Sequence, residues 1–124
     1  MYNVFSAEDF EDFNKNDMEY ILLFFSDNEE IAQAFSGDDD ECVFFTNKRI
    51  IFFKPDEGNS MFNDCKVKFV HYSSIHSYTV NGSTQDDRET IWLEIKFIDD
   101  EACRFFYNKD FQAEYTAKLI AGHI

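Results

Sequence analysis

The sequence contains few of the residues that characterise secreted proteins, membrane-spanning proteins and phosphate-binding enzymes. It has one proline, four isolated glycines, and three cysteines without a Cys-x-x-Cys pair. An odd number of widely spaced cysteines does not suggest a disulfide framework, and isolated glycines do not form a phosphate-binding loop. The longest early apolar run, residues 20–25, is much shorter than the roughly 20 residues that span a bilayer. We therefore expect reduced thiols and a cytoplasmic location.

Basic residues are also scarce, with 11 Lys and Arg against 25 Asp and Glu, and the net charge is −14. Residues 1–41 contain 13 acids and one base, a net charge of −12, whereas residues 42–124 contain 12 acids and 10 bases, a net charge of −2. Such a field repels phosphate backbones and anionic headgroups, so we expect neither a nucleic-acid partner nor an anionic membrane. The acidity either attracts a cationic partner or only keeps an aromatic-rich protein soluble.

Aromatic residues are abundant, with 16 Phe among 124 residues, and this length suggests one domain with a sizeable core. Two short apolar runs, residues 43–45 and 50–53, flank a polar stretch in which Asn47 and Lys48 suit a tight turn. Because β-branched and aromatic residues dominate both runs, they predict a β-hairpin with both arms buried.

Period-two alternation predicts further strands at residues 65–72, 75–80, 89–98 and 101–107, with a polar loop at residues 83–88. The clearest pattern is in residues 89–98, where one face carries Ile91, Leu93, Ile95 and Phe97.

Helices are predicted at both ends of the chain. Ser6 is a candidate N-cap for a first helix, and Asp17 is one for a second helix over residues 18–25. A C-terminal helix is predicted from Phe111, Tyr115 and Leu119 at i, i+4 and i+8. Residues 29–35 are ambiguous, because their local propensity is helical.

Three short segments resemble the bacterial pleckstrin-homology (PH-like) domain family. They are Phe45-Thr46-Asn47-Lys48-Arg49 before an apolar strand, Tyr72-Ser73-Ser74-Ile75, and the terminal Leu119-Ile120-Ala121-Gly122-His123-Ile124. The resemblance covers residues 20–124 and implies a mainly β (α+β) fold: a seven-stranded PH-like barrel capped by a C-terminal helix, with residues 29–35 as its first strand. It also implies ring-like homo-oligomers without an assigned activity. We expect short N-terminal helices in an extension at residues 1–27 and the PH-like domain at residues 28–124.

Residues with catalytic or metal-binding chemistry are few. Cys42, Cys65 and Cys103 lie on three predicted strands, and two interpretations are open: a zinc site with His71 or His76, or buried cysteines that act as small hydrophobic residues. Closely spaced ligand pairs are absent from the sequence, and the histidines have no nucleophile motif beside them. We predict no catalytic residue, no metal and no cofactor.

Lys48 and Arg49 form the one compact basic pair in the sequence. They either contact an anion, or Arg49 pairs with a nearby carboxylate and lays its stem over apolar surface.

The predicted strand at residues 89–98 also suggests an interface. If its odd-numbered apolar residues face the core, Trp92 and Ile98 lie on the opposite face, and Phe106 on the next strand extends that patch. Large aromatic residues among scattered charges are typical of interface hot spots. Either this face contacts another subunit, or one of the helices covers it within the same chain.

Two functions therefore stay open. The first is a non-enzymatic cytoplasmic PH-like scaffold for protein–protein interaction and homo-oligomeric assembly that does not bind phosphoinositides, since the loop at residues 38–41 is entirely acidic. The second is an acidic inhibitor or DNA mimic that occupies a basic site on a partner.

Overall fold

The computed structural model describes residues 3–55, 65–85, 88–108 and 113–123. Within this part of the chain, about half of the residues lie in eight β-strands. One α-helix follows the first strand, and a second α-helix follows the last strand. The elements in chain order are β1 (Asn3–Ala7), α1 (Lys15–Leu22), β2 (Ile31–Ser36), β3 (Cys42–Thr46), β4 (Ile50–Lys54), β5 (Lys66–Val70), β6 (Ile75–Gln85), β7 (Arg88–Phe97), β8 (Ala102–Tyr107) and α2 (Ala113–Ala121).

All eight strands belong to one sheet, with the order β5-β4-β3-β2-β1-β8-β7-β6. Neighbouring strands are antiparallel except for β1 and β8, which are parallel. The N-terminal strand therefore joins the two halves of the sheet, with β2 on one side and β8 on the other.

The sheet curls on itself around an aromatic interior. In a flat sheet, β4 and β7 would lie five strand spacings apart, about 24 Å. Instead, the ring centroids of Phe52 on β4 and Phe97 on β7 are 6.2 Å apart. The inner face encloses a continuous buried cluster, here called the barrel interior: Phe5, Phe35, Val43, Phe45, Ile50, Tyr72, Ile75, Leu93, Ile95, Phe97, Cys103, Phe105 and Ile120.

Helix α2 closes the barrel interior. Ile120 belongs to the interior cluster, and Thr116 is fully buried. The Tyr107 hydroxyl donates to Thr116 Oγ1 over 2.7 Å, and Thr116 Oγ1 in turn donates to Gln33 on β2. These contacts fix α2 against strands from both halves of the sheet.

Helix α1 packs on the outer face of β2–β5, a surface called here the covered half. Met18 and Ile21 of α1 meet Phe44, Ile51 and Phe53, which point outward because β3 and β4 are apolar on both faces. The result is a second core outside the barrel. The outer face of β1, β8, β7 and β6 is called the open half.

Most sequence predictions of structure are confirmed. The mainly β fold with a C-terminal helix is present, and the hairpin of β3 and β4 turns through residues 46–49, where the Thr46 amide donates to the Arg49 carbonyl over 2.9 Å. Residues 31–36 form strand β2, as the family resemblance implies and against their local propensity. The sheet has eight strands, one more than expected, because of β1.

Of the two predicted N-terminal helices, the second is present as α1, but the first is wrong. Ser6 lies inside strand β1 and does not cap a helix, because Phe5 on that strand enters the barrel interior and stacks on Phe105 at 5.3 Å. Tertiary packing here outweighs a local capping signal. Helix α1 also begins earlier than predicted: its N-cap is Asn14, whose Oδ1 accepts from the amides of Asn16 and Asp17.

Two C-terminal predictions also need correction. The polar loop predicted at residues 83–88 is largely strand. β6 continues through Gln85, β7 begins at Arg88, and these two residues pair with each other. In α2, Tyr115 is exposed, and the buried residues are Ala113, Thr116 and Ile120. Phe111, predicted on the buried stripe, lies outside the described residues.

Candidate functional site

The open half carries an aromatic pair. Trp92 on β7 and Phe106 on β8 are direct cross-strand partners. Their rings stack with centroids 5.6 Å apart and an interplanar angle of 29°. Both side chains are half-buried, and both point away from the barrel interior because Leu93 and Phe105 point into it. The sequence pattern predicted this shared face, and the structure brings the two residues together.

An ion pair lies beside the aromatic pair. In the next row of the same face, Arg104 Nε lies 3.1 Å from Glu94 Oε1. Arg104 is also the register partner of Val4 on β1, which is about half exposed. The surface of these five residues, Trp92, Phe106, Glu94, Arg104 and Val4, is called the β7–β8 patch below.

Neither helix covers the β7–β8 patch within the described residues. The buried residues of α1, Met18 and Ile21, belong to the core on the covered half, and Ile120 of α2 belongs to the barrel interior. Ile98, which the sequence analysis grouped with Trp92, follows the end of β7 and does not lie in the patch. Ile98 is 69% exposed and lines a cleft that opens at one end of the barrel. Its amide donates to the Ser74 carbonyl.

Arg49 is held by a buried carboxylate. Its Nε and Nη2 atoms each lie 3.0 Å from an oxygen of Glu29, whose side chain is fully buried. Nη2 also donates to the Phe24 carbonyl over 2.6 Å, and the guanidinium lies 4.3 Å from the ring centroid of Phe69. These bonds tie the segment after α1 to the β3–β4 turn. Lys48, its neighbour, is exposed in that turn.

The hydrogen-bond and ion-pair partners of Glu29 stabilise its ionised form. Burial raises the pKa of its carboxyl, but the Ser26 amide, the Thr46 hydroxyl and the Arg49 guanidinium outweigh burial, so its pKa lies below the ordinary value. The Thr46 hydroxyl donates to Glu29 over 2.7 Å. Residues 45–49, the segment that resembles the PH-like family, therefore contain the two side chains that neutralise and solvate this buried charge. Anion binding by Lys48 and Arg49 stays a prediction.

An interior cleft of about 480 Å³ opens at one end of the barrel. Its lysines, Lys54, Lys66 and Lys68, come from β4 and β5, whereas its acids, Glu41, Asp99 and Glu101, come from the segments that precede β3 and β8. Sequence reasoning missed this site. The available signal was the alternation of Lys66 and Lys68 with Val67, which places both lysines on one face of β5.

The cysteines do not meet in one site. Cys42 lies in the core of the covered half, and Cys103 lies in the barrel interior, on opposite faces of the sheet. Burial, aided by nearby carboxylates, raises the pKa of each of these two thiols to about 12. No group of three or more His, Cys, Asp or Glu residues able to hold a metal ion occurs within residues 3–55, 65–85, 88–108 and 113–123.

Among the helices that the structure describes, none combines the length and the apolar character needed to cross a membrane.

Comparison with known proteins identifies the fold. A family model described as "Bacterial PH domain" matches residues 16–109. The crystal structure of a DUF1696 family protein with a pleckstrin-homology domain from Shewanella loihica PV-4 has a TM-score of 0.65 and 17% identity; the alignment covers 98% of this chain and 97% of that chain. A pleckstrin-homology domain from Shewanella amazonensis SB2B has a TM-score of 0.55 and 19% identity, covering 90% of this chain and 97% of that chain.

Among curated proteins, none matches this chain. The two crystal structures are similar in fold over nearly their whole length, and at these identities the similarity concerns the fold alone. The family match spans most of the sheet and includes the Glu29–Arg49 pair and the β7–β8 patch apart from Val4. The chain therefore belongs to the bacterial PH domain family.

Proposed function

We propose that this PH-like domain is a non-enzymatic protein-interaction module that assembles with copies of itself through the β7–β8 patch. The observation that carries the proposal is the Trp92–Phe106 stack, which faces outward on a half of the sheet that neither helix covers in the described part of the chain. Surface aromatic residues held rigidly by their neighbours lose little conformational freedom on binding, so they are effective anchors for a partner.

Self-association is favoured by the charges beside the stack. Glu94 and Arg104 present one acid and one base in adjacent positions. When the same patch meets a rotated copy of itself, the acid of one copy can face the base of the other. This gives electrostatic complementarity without a second kind of partner. The family resemblance, which implies homo-oligomers, supports self-association, but a ring of more than two subunits would need a second contact surface besides this two-fold contact.

Light scattering coupled to size-exclusion chromatography tests this function. We expect a wild-type mass of at least a dimer, and expect Trp92→Ala and Phe106→Ala to shift the mass towards the monomer, since truncation of a hot-spot aromatic costs about 2 kcal/mol or more. Tyr115→Ala is the matched control, because Tyr115 is an exposed aromatic residue on α2, away from the patch.

Circular dichroism of each variant verifies that the subunit is folded. A wild-type protein that is monomeric at high concentration contradicts the proposal. Retention of the wild-type mass by both Trp92→Ala and Phe106→Ala also contradicts it.

The acidic inhibitor or DNA mimic is the competing function, and salt separates the two. Assembly through an aromatic patch should persist from about 0.05 to about 0.5 M salt, because salt screens interactions between exposed charges and has little effect on apolar contacts. A complex of an acidic mimic with a basic partner should weaken steeply over the same range.

We further propose that the domain does not bind phosphoinositides. The loop before β3 contains Asp38, Asp39, Asp40 and Glu41, the first three of them exposed, and these carboxylates repel headgroup phosphates. Sedimentation with phosphoinositide-containing liposomes is the test, and saturable binding at physiological salt would refute the proposal.

A cytoplasmic location is supported by the three free cysteines.

A further inference from the structure

Two lysines face each other in the interior cleft. Lys54 on β4 and Lys66 on β5 are direct cross-strand partners, and both line the cleft. Like charges directly opposite each other on neighbouring strands are destabilising. In the part of the chain that the structure describes, neither lysine forms an ion pair, whereas Lys68 on the same face lies 3.4 Å from Glu101. Within the described residues, a protein with a net charge of −14 therefore keeps two cross-strand ammonium groups at one cleft without an ion-pair partner.

The floor of the cleft is aromatic. Phe5, Phe52 and Phe97 line it, with ring centroids 6.1 Å apart for Phe5 and Phe52 and 6.2 Å apart for Phe52 and Phe97. Its volume of about 480 Å³ lies within the range of small-molecule sites, about 300 to 1,000 Å³. An apolar floor beside a few convergent polar groups is the usual composition of such sites.

The remaining charges restrict the ligand. Glu41, Asp99 and Glu101 also line the cleft, and Glu101 already engages Lys68. A polyanion would meet these carboxylates, whereas a ligand with one anionic head needs only Lys54 and Lys66. Two ammonium groups match the two oxygens of a carboxylate through charge-assisted hydrogen bonds.

We propose that the interior cleft binds a small amphipathic carboxylate, with its head between Lys54 and Lys66 and its apolar body on the aromatic floor. The site is distinct from the β7–β8 patch, because its lysines and phenylalanines lie on the inner face of the sheet. Its occupancy does not require self-association, so each proposal can fail without the other.

Isothermal titration calorimetry with three probes tests the site. Octanoate has both head and body, 1-octanol has only the body, and acetate has only the head. We expect octanoate to bind at least about tenfold more tightly than either of the other two, since hydrogen bonds to charged groups contribute on this scale. Equal binding of octanoate and 1-octanol, or no binding of octanoate at millimolar concentration, would overturn the proposal.

Paired variants locate the binding. In Lys54→Gln/Lys66→Gln, octanoate affinity should fall about tenfold, towards that of 1-octanol. The control Lys15→Gln/Lys118→Gln removes the same charge from exposed positions on α1 and α2 and should bind octanoate like the wild type. Thermal unfolding without ligand verifies folding, and the loss of the Lys54–Lys66 repulsion should leave the cleft variant at least as stable as the wild type. Unchanged octanoate affinity in the cleft variant would place the binding elsewhere and overturn the proposal.

Discussion

The covered half and the open half are two outer faces of one sheet, and they differ in what lies on them. On the covered half, α1 buries Phe44, Ile51 and Phe53 in a second core. On the open half, Trp92 and Phe106 stack on each other and nothing in the described chain packs over them. Within the described residues, the chain therefore covers one outer face of the sheet itself, and we propose that a second copy covers the other.

The difference is encoded in the strands. β3 and β4 read CVFFT and IIFFK, so both of their faces are apolar and both must be buried. β7 reads RETIWLEIKF, in which apolar residues alternate with Glu94, Lys96 and one Trp. A face with charges around one large aromatic residue is compatible with water in the free subunit and with burial in an assembly.

The largest expected difference in stability is between variants of the two Arg–Glu pairs, of which one lies in each half. Arg49→Met leaves the fully buried Glu29 without its cation, and we expect a loss of about 3 to 5 kcal/mol in the free energy of unfolding. Arg104→Met disturbs a pair whose side chains are both partly exposed, and we expect a loss of about 1 kcal/mol or less. Urea unfolding monitored by circular dichroism measures both.

The double variant Arg49→Met/Glu29→Gln is the control, because it removes the buried charge as well and should recover part of the lost stability. Equal losses for Arg49→Met and Arg104→Met would remove the energetic distinction between the two halves.

The second effect concerns how α1 covers the sheet. Ile21 is fully buried against the second core, so Ile21→Ala should cost about 3 kcal/mol. Leu23 immediately follows the helix and is 78% exposed, so Leu23→Ala should change stability by about 0.5 kcal/mol or less. Thermal unfolding of the two variants provides the measurement. A large loss for Leu23→Ala would mean that α1 buries a different face.

The smallest effect is a pH dependence in the covered half. The pKa of Glu29 is lowered in the folded state. Its ionised carboxyl therefore stabilises the fold at pH values above 4.5, the ordinary pKa of a glutamate. This contribution is lost as the pH falls through the folded-state pKa, below that value. Wild type and Glu29→Gln should therefore differ in unfolding free energy by a constant amount near pH 7, and the difference should change below pH 4.5 in the direction that disfavours the wild type. A difference that is independent of pH would contradict the role given to Glu29.

The central fold was predictable because its signals are local and consistent. The hairpin of residues 43–53 and the alternation in β7 each follow from burial on strands. β1 was not predictable: Ser6 followed by acids is a good helix start, and only the distant partners of Phe5, such as Phe105, make this segment a strand. Tyr115 was misplaced on α2 because the buried face is narrow and is formed by Ala113, Thr116 and Ile120.

The candidate site was partly predictable. Trp92 and Phe106 share a face because alternation fixes it within each strand, and adjacency of the two strands brings them together. The interior cleft was not predictable, because its residues come from distant segments, with Phe5 and Lys66 separated by about half of the chain. Arg49 could be assigned to a carboxylate in general, but Glu29 is identified only by the position of α1 and β2.

The central claim is that the open half becomes buried in an assembly, and the sequence contains one tryptophan, Trp92, within that face. Its fluorescence emission, followed during serial dilution, therefore reports directly on the β7–β8 patch. We predict that the emission maximum moves to longer wavelength as the protein is diluted and the mass falls, because Trp92 gains contact with water. An emission maximum that stays constant while the mass falls would contradict the account, since assembly would then use a different surface.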